Sequence, residues 1–183
     1  WSIGTGYISD SQHLDVVPKK LLRTQQITRY YTDQNASYLN ERKYRKITKD
    51  LFTPPFIVVK EGQHDNEITA SFIDYDTASL KSTYVINGKV ADSIKKAIVL
   101  YINSKFSTYY LFLSASSWGI ERERILFEEM LSIPSIVESL SKNHLLKIDS
   151  LFKEIKHEIN QDRILLIQTE IDKVISDVLK LKK

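Results

Sequence analysis

The chain has no cysteine among its 183 residues. That excludes a disulfide framework and any thiolate-ligated metal, and it fits a reducing, cytoplasmic compartment. No run of about 18 apolar residues occurs, so no membrane-spanning helix is expected. No basic region followed by an apolar core opens the chain, so no secretory leader is expected there. Glycine and proline are sparse, five and four residues, and neither occurs beyond Pro134. The sole methionine is Met130 and the first residue is Trp1, so the chain is expected to be a piece of a longer protein. Its length fits one domain plus an appendage, with enough residues for a sizeable core.

A strong overall charge is also lacking: the net value is +3. The distribution is more informative. Between Lys19 and Lys49 nine Lys/Arg stand against two acids, a local balance of +7, whereas between Asp50 and Val90 three bases stand against six acids, a balance of −3. A molecule polarised in this way can orient on a polyanion.

The hydrophobic pattern predicts an α+β chain: short strands and helices, followed by a long C-terminal helix or helix hairpin. Short strands are expected at Tyr7–Ile8 and Leu14–Val17, a strand or turn around Gln26–Tyr31, and a basic helix or loop over 38–52 that Pro54-Pro55 stops. The run FIVVK, Phe56–Lys60, is the clearest buried strand. Ile68–Tyr75 is read as the strand returning from it. Thr83–Ile86 is a further strand, closed by the turn pair Asn87-Gly88. Ala91–Ser104 is helical, and Phe106–Leu113 is expected to prolong it for its first half, with Tyr109 and Tyr110 in the core. Ile133-Pro134 marks a boundary between residues 1–134 and a helical spacer or docking element, 135–183. In that element Ile148, Leu151, Phe152, Ile155, Ile159, Leu166, Ile171, Val174, Ile175 and Val178 recur at three and four. The spacing slips near Asn160-Gln161-Asp162.

Most catalytic options fail on residue type or spacing. Thr53-Pro-Pro-Phe56 is superficially similar to an amino-methyltransferase motif, but threonine is a poor substitute for the Asp or Asn that accepts from the target amine. His13, His64, His144 and His157 are not paired at metal-ligand spacing. Asp74 and Asp76 would suit a metal, yet nuclease chemistry wants a lysine one or two residues past a second acid on an adjoining strand, and Glu154-Ile-Lys156, which has that spacing, lies in the C-terminal helix. Ser114, Ser116 and Ser117 lack a nucleophile elbow. No catalytic residue and no metal site is therefore assigned.

Basic and aromatic residues do interleave, at Arg29-Tyr30-Tyr31, Arg42–Lys46 and Trp118 with Arg122. The stretch Ala97–Arg124 carries an amphipathic helix into the aromatic run FSTYYLFL, then SASS, then Trp118-Gly119 beside Arg122 and Arg124. Guanidinium groups and hydroxyls grip phosphates, and aromatic rings stack or wedge at base steps. Arg29, Tyr30, Lys43, Arg45, Lys46, Ser116, Ser117, Trp118, Arg122 and Arg124 are the candidate DNA-contacting residues.

The segments LYINSKFSTYYLFL (Leu100–Leu113) and SSWGIERERILFEEMLSIP (Ser116–Pro134) resemble the C-terminal target-recognition region of adenine-specific DNA methyltransferases of restriction–modification systems. Weaker echoes are QITRYY (Gln26–Tyr31) and IQTEIDKVISDVLKL (Ile167–Leu181). The resemblance implies a mixed β-sheet with packed helices followed by a long helical element, and sequence-specific recognition of double-stranded DNA with no catalysis by this chain. A separate methyltransferase domain or subunit would bind S-adenosylmethionine and flip the adenine. It implies a site region, not a set of individual contacts. The alternative is a docking module in which the C-terminal helices and the apolar-aromatic segment hold a partner subunit.

Overall fold

The FIVVK run does what its composition requires. Four consecutive residues with β-branched or aromatic side chains, Phe56–Val59, cannot leave one face wet, so they are buried on both sides of the strand. In the computed structural model, which describes residues 1–6, 19–40, 49–62, 67–115 and 124–180, this strand lies at the centre of a five-stranded sheet. The described strands are β1 (Ser2–Thr5), β2 (Lys19–Leu22), β3 (Tyr30–Tyr31), β4 (Tyr38–Asn40), β5 (Phe56–Lys60), β6 (Ala70–Ile73), β7 (Ala78–Ser79) and β8 (Thr83–Asn87). The larger sheet runs β1-β8-β5-β6-β3, and a smaller one runs β4-β2-β7. The expected strands at Tyr7–Ile8 and Leu14–Val17 lie outside the described residues.

The chain forms two compact units, one of residues 1–62 and 69–89, the other of 63–68 and 90–183. Both sheets belong to the first unit. β5 and β6 form the expected antiparallel pair, with Phe56 opposite Ile73 and Val59 opposite Ala70. β8 flanks β5 on the other side, also antiparallel. β3 joins the edge in parallel, which makes the sheet mixed. Phe56, Val58, Ile73 and Val85 meet Leu21, Leu22, Ile27, Leu51, Phe52 and Ala78 in one apolar core. Phe52 and Phe56 pack edge to face there, centroids 5.6 Å apart. Gly6 is required by close approach: a Cβ would lie 2.0 Å from the Leu80 carbonyl oxygen.

The strand or turn expected around Gln26–Tyr31 is present: a 3₁₀ turn at Thr24–Gln26 leads into the two-residue β3. β8 ends at the pair Asn87-Gly88 as its turn preference requires, and the chain then enters a helix. Asn87 is also a clamp. Its Nδ2 donates to the carbonyls of Asp50 (3.0 Å), Leu51 (3.2 Å) and Thr53 (2.8 Å). Those carbonyls belong to the 3₁₀ turn Lys49–Phe52 and its exit, and such a short turn leaves most of them without a partner of its own.

The second unit is helical: α1 (Asp92–Ile102), α2 (Lys105–Ser114), α3 (Phe127–Ser132), α4 (Lys142–Ile155) and α5 (Gln161–Val178). α2 does not prolong α1. Ser104 stops one helix and caps the next: its Oγ donates to the Tyr101 carbonyl at 2.6 Å and accepts from the Ser107 N–H at 3.5 Å. The first N–H of α2, that of Lys105, donates to Asp172 Oδ1 of α5 at 3.0 Å.

The C-terminal part is a hairpin, with the break where the spacing slipped. Asn160 caps α5 by accepting from the Arg163 N–H at 3.1 Å, and restarting the helix resets its phase. The buried stripe of α5 is therefore Ile167, Ile171, Val174, Ile175 and Val178. Leu166 and Ile159, both expected in the stripe, are 62% and 89% exposed. α4 buries Ile148, Leu151, Phe152 and Ile155. α4 and α5 pack on each other and on α1, so the stripe is covered inside its own unit.

Candidate nucleic-acid interface

Three of the ten candidate contact residues fall among the described residues: Arg29, Tyr30 and Arg124. Lys43, Arg45, Lys46, Ser116, Ser117, Trp118 and Arg122 lie outside them. Arg29 and Tyr30 are in the first unit, and Arg124 is in the second, exposed two residues before the helix-capping Leu126.

In the first unit the fold frames the basic segment. β2 and β4 pair antiparallel, with Lys19 opposite Asn40 and Lys20 opposite Leu39. Asn40 is the last described residue before the Arg42–Lys46 run. The sheet thus places the entry to that run directly beside Lys19 and Lys20, about twenty positions earlier in the chain. The exit is fixed too, because the turn Lys49–Phe52 hangs on the Asn87 side chain. Lys20 and Arg23 are exposed.

Arg29-Tyr30-Tyr31 forms a tight turn at the open edge of the larger sheet. The Tyr31 N–H donates back to the Arg29 carbonyl at 2.9 Å, and the residue between them, Tyr30, has φ +72°. A three-residue turn with positive φ at its centre is the rare, strained form of the γ-turn. For a bulky residue such a conformation costs about 1–3 kcal/mol, which the surroundings must offset. They do so with hydrogen bonds. The Thr28 N–H donates to Thr32 Oγ1 at 3.0 Å, Thr28 Oγ1 donates to the Tyr31 carbonyl at 2.6 Å, and Thr32 Oγ1 shares a buried 2.8 Å bond with Ser71 Oγ of β6. Tyr30 itself is only 5% exposed, so its ring is a support rather than a free stacking surface. The Arg29 guanidinium lies over that ring, 5.3 Å from its centroid.

A network that the sequence does not announce lies beside this turn. Tyr31 Oη donates to Asp74 Oδ1 at 3.0 Å, and Tyr75 Oη donates to the Asp33 carbonyl at 3.1 Å. Burial, then the Asp74 hydrogen bond and charge, push the Tyr31 phenol up to about 12. Tyr75 is raised as well, by burial first and then by neighbouring Tyr31 and the carboxylates. Partners 42 and 43 residues apart carry no common motif. The only hint is the alternation IDYD, which places Asp74 just beyond β6. Asp74 is used for hydrogen bonding, and among the described residues no group of three or more His, Cys, Asp or Glu could hold a metal ion.

In the second unit α2 does not bury its aromatic run as expected. Tyr101, Phe106 and Tyr110 stack in sequence, with centroids 5.8 Å and 6.2 Å apart. Burial pushes the Tyr101 phenol up to about 12. Tyr109 is exposed rather than in the core, together with Phe112 and Leu113. The helix has two apolar faces and only one is covered. Its N-terminus is occupied by Asp172, so it is not an anion cradle.

No family model and no curated protein matches the sequence. Among solved structures the chain is similar to the Type IIL restriction-modification enzyme MmeI, solved in complex with DNA, at TM-score 0.51 and 15% identity. The similarity covers 70% of this chain and 19% of that one. The chain thus spans less than a quarter of that enzyme's length, and at this identity the likeness is one of fold. Among the described residues, no helix is long and apolar enough to cross a membrane.

Proposed function

We propose that the chain is a double-stranded DNA recognition domain of a restriction–modification protein, non-catalytic by itself. The observation that carries the reading is the coincidence of two independent features. The fold is similar to part of a restriction-modification enzyme solved with DNA, and the first unit ties both ends of its most basic segment to the sheets. Lys20, Arg23, Arg29 and the run Arg42–Lys46 would supply phosphate contacts. The loop 114–124 and Arg124 would supply further phosphate contacts and base readout, each good bidentate base contact adding roughly 1–3 kcal/mol of discrimination. A methyltransferase domain or subunit, binding S-adenosylmethionine, would perform the adenine methylation.

The test is fluorescence anisotropy of the whole chain with a labelled duplex. Affinity is expected to fall steeply with salt, with a log–log slope near −0.9 for each phosphate engaged. Binding that barely changes between about 50 and 200 mM salt would refute it. The whole chain is the right material. Cutting it at residue 134 would uncover α1, which α4 and α5 pack against.

A second reading, subunit docking, is favoured by one observation. Tyr109, Phe112 and Leu113 stand exposed at i, i+3 and i+4 on α2, whereas the stripes of α4 and α5 are already covered. Docking would therefore use α2 rather than the hairpin's apolar stripe. Phe112→Glu is expected to abolish association with a catalytic subunit and to leave DNA affinity unchanged.

A further inference from the structure

We infer that the strained turn at Tyr30 is a positioning device, which aims the Arg29 guanidinium at a phosphodiester of the duplex. The inference rests on the DNA reading above and adds the mechanism by which one contact is held. An arginine side chain has many rotamers, and holding it in one pose for a phosphate has an entropic cost at every binding event. Here three features remove that freedom beforehand. The backbone reverses at Tyr30 with φ +72°. The buried Tyr30 ring supplies a face under the guanidinium at 5.3 Å, and Arg29 Nε is itself buried. The turn is locked from both sides by Thr28, through its N–H to Thr32 Oγ1 and its Oγ1 to the Tyr31 carbonyl, while Thr32 is tied to Ser71 in the adjoining strand.

Nothing in ordinary strand geometry calls for this. A two-residue edge strand pairing with β6 would normally carry its first residue at negative φ. A bulky residue at positive φ persists only when its surroundings over-determine it, and such residues cluster at ligand clamps. The support of Arg29 is visible at atomic detail. Thr28 is exposed, so altering it does not open the core.

The experiment compares four variants with the unaltered protein, each the full chain, against a fluorescein-labelled duplex over a salt series. Arg29→Ala is expected to reduce the magnitude of the salt slope by about 0.9, one phosphate contact. Thr28→Val, which keeps Arg29 but removes the hydroxyl bonded to the Tyr31 carbonyl, is expected to reduce it by a similar amount. The double variant is expected to fall no further, because both changes remove one contact. Thr28→Ser, which restores a hydroxyl, is expected to return the slope to that of the unaltered chain. Such a rescue separates positioning from a mere loss of fold.

If Thr28→Val keeps the unaltered slope while Arg29→Ala lowers it, the turn is not the positioning element, and the DNA reading stands. If Arg29→Ala leaves the slope unchanged in a chain that binds with a steep salt dependence, Arg29 is not a phosphate contact and the inference is overturned alone. If the unaltered chain shows no salt-dependent binding, the DNA reading itself falls.

Discussion

Removing the Asn87 amide tests the claim that this side chain pins the exit of the basic segment. Asn87 is buried at 7% exposure. Its two N–H groups serve three carbonyls at 2.8–3.2 Å, those of Asp50, Leu51 and Thr53, and its Oδ1 accepts from the Gly88 N–H at 2.8 Å. Truncation to alanine strips all three carbonyls of this partner. A buried polar group left unsatisfied costs about 1–3 kcal/mol. At most two such groups are left, because the Asp50 carbonyl keeps the Thr53 N–H at 3.4 Å, and Asp50 is exposed, so water can reach part of the turn. About 3 kcal/mol is the expected cost of Asn87→Ala.

Asn87→Asp is expected to do worse at neutral pH, although it differs by almost no volume. It replaces the donor by a carboxylate that faces three carbonyl oxygens, so that repulsion is added to loss. Urea denaturation followed by circular dichroism reads both values. DNA anisotropy at a denaturant-free temperature well below the transition reads the consequence for binding, because the exit of the basic segment at Lys49–Phe52 is no longer pinned. An Asn87→Asp variant as stable as the parent, or an alanine variant within about 0.5 kcal/mol of it, the range of featureless surface changes, would refute the reasoning.

Tyr31 sets an alkaline limit. Its phenol is raised in the folded state from an ordinary 10.0 to about 12, so its contribution is fully present below pH 10 and is lost as pH climbs towards 12. Stability measured across that window should fall with pH, and the Tyr31→Phe variant should show a flatter decline. Unchanged curvature in the variant would remove Tyr31 from that role. In the C-terminal hairpin, Ile171→Ala should cost about 2–5 kcal/mol as a buried large-to-small change, and Ile159→Ala should stay within about 0.5 kcal/mol. Thermal melts reversing that order would contradict the reset helix phase.

Residues whose information is local were legible from the chain alone. FIVVK, with β-branched and aromatic residues in succession, could only be a buried strand, and the alternation over Ile68–Tyr75 marked its returning partner, which is Ala70–Ile73. The α+β class and the C-terminal break near Asn160 were legible too, since periodicity and its interruption are one-dimensional signals. Asn87-Gly88 marked the end of β8, but the dipeptide says nothing about what lies across the sheet, so the clamp on Asp50, Leu51 and Thr53 was not legible. The aromatic run after Phe106 misled. Tyr109 reads as core by type, but whether a second helix covers that face is settled by packing.

What the sequence determined by itself is thus the class of fold, the helical tail and the uneven charge, because each follows from short-range propensity and composition. What only the tertiary structure decided is which distant groups meet: Lys19 beside Asn40, Asn87 beneath the Lys49–Phe52 turn, Tyr31 on Asp74, Asp172 on the first N–H of α2. Hydrogen bonds across 34 to 67 positions in the chain depend on register and strand order. Loop closure sets those long-range pairings through the whole chain's packing, and no local pattern encodes them.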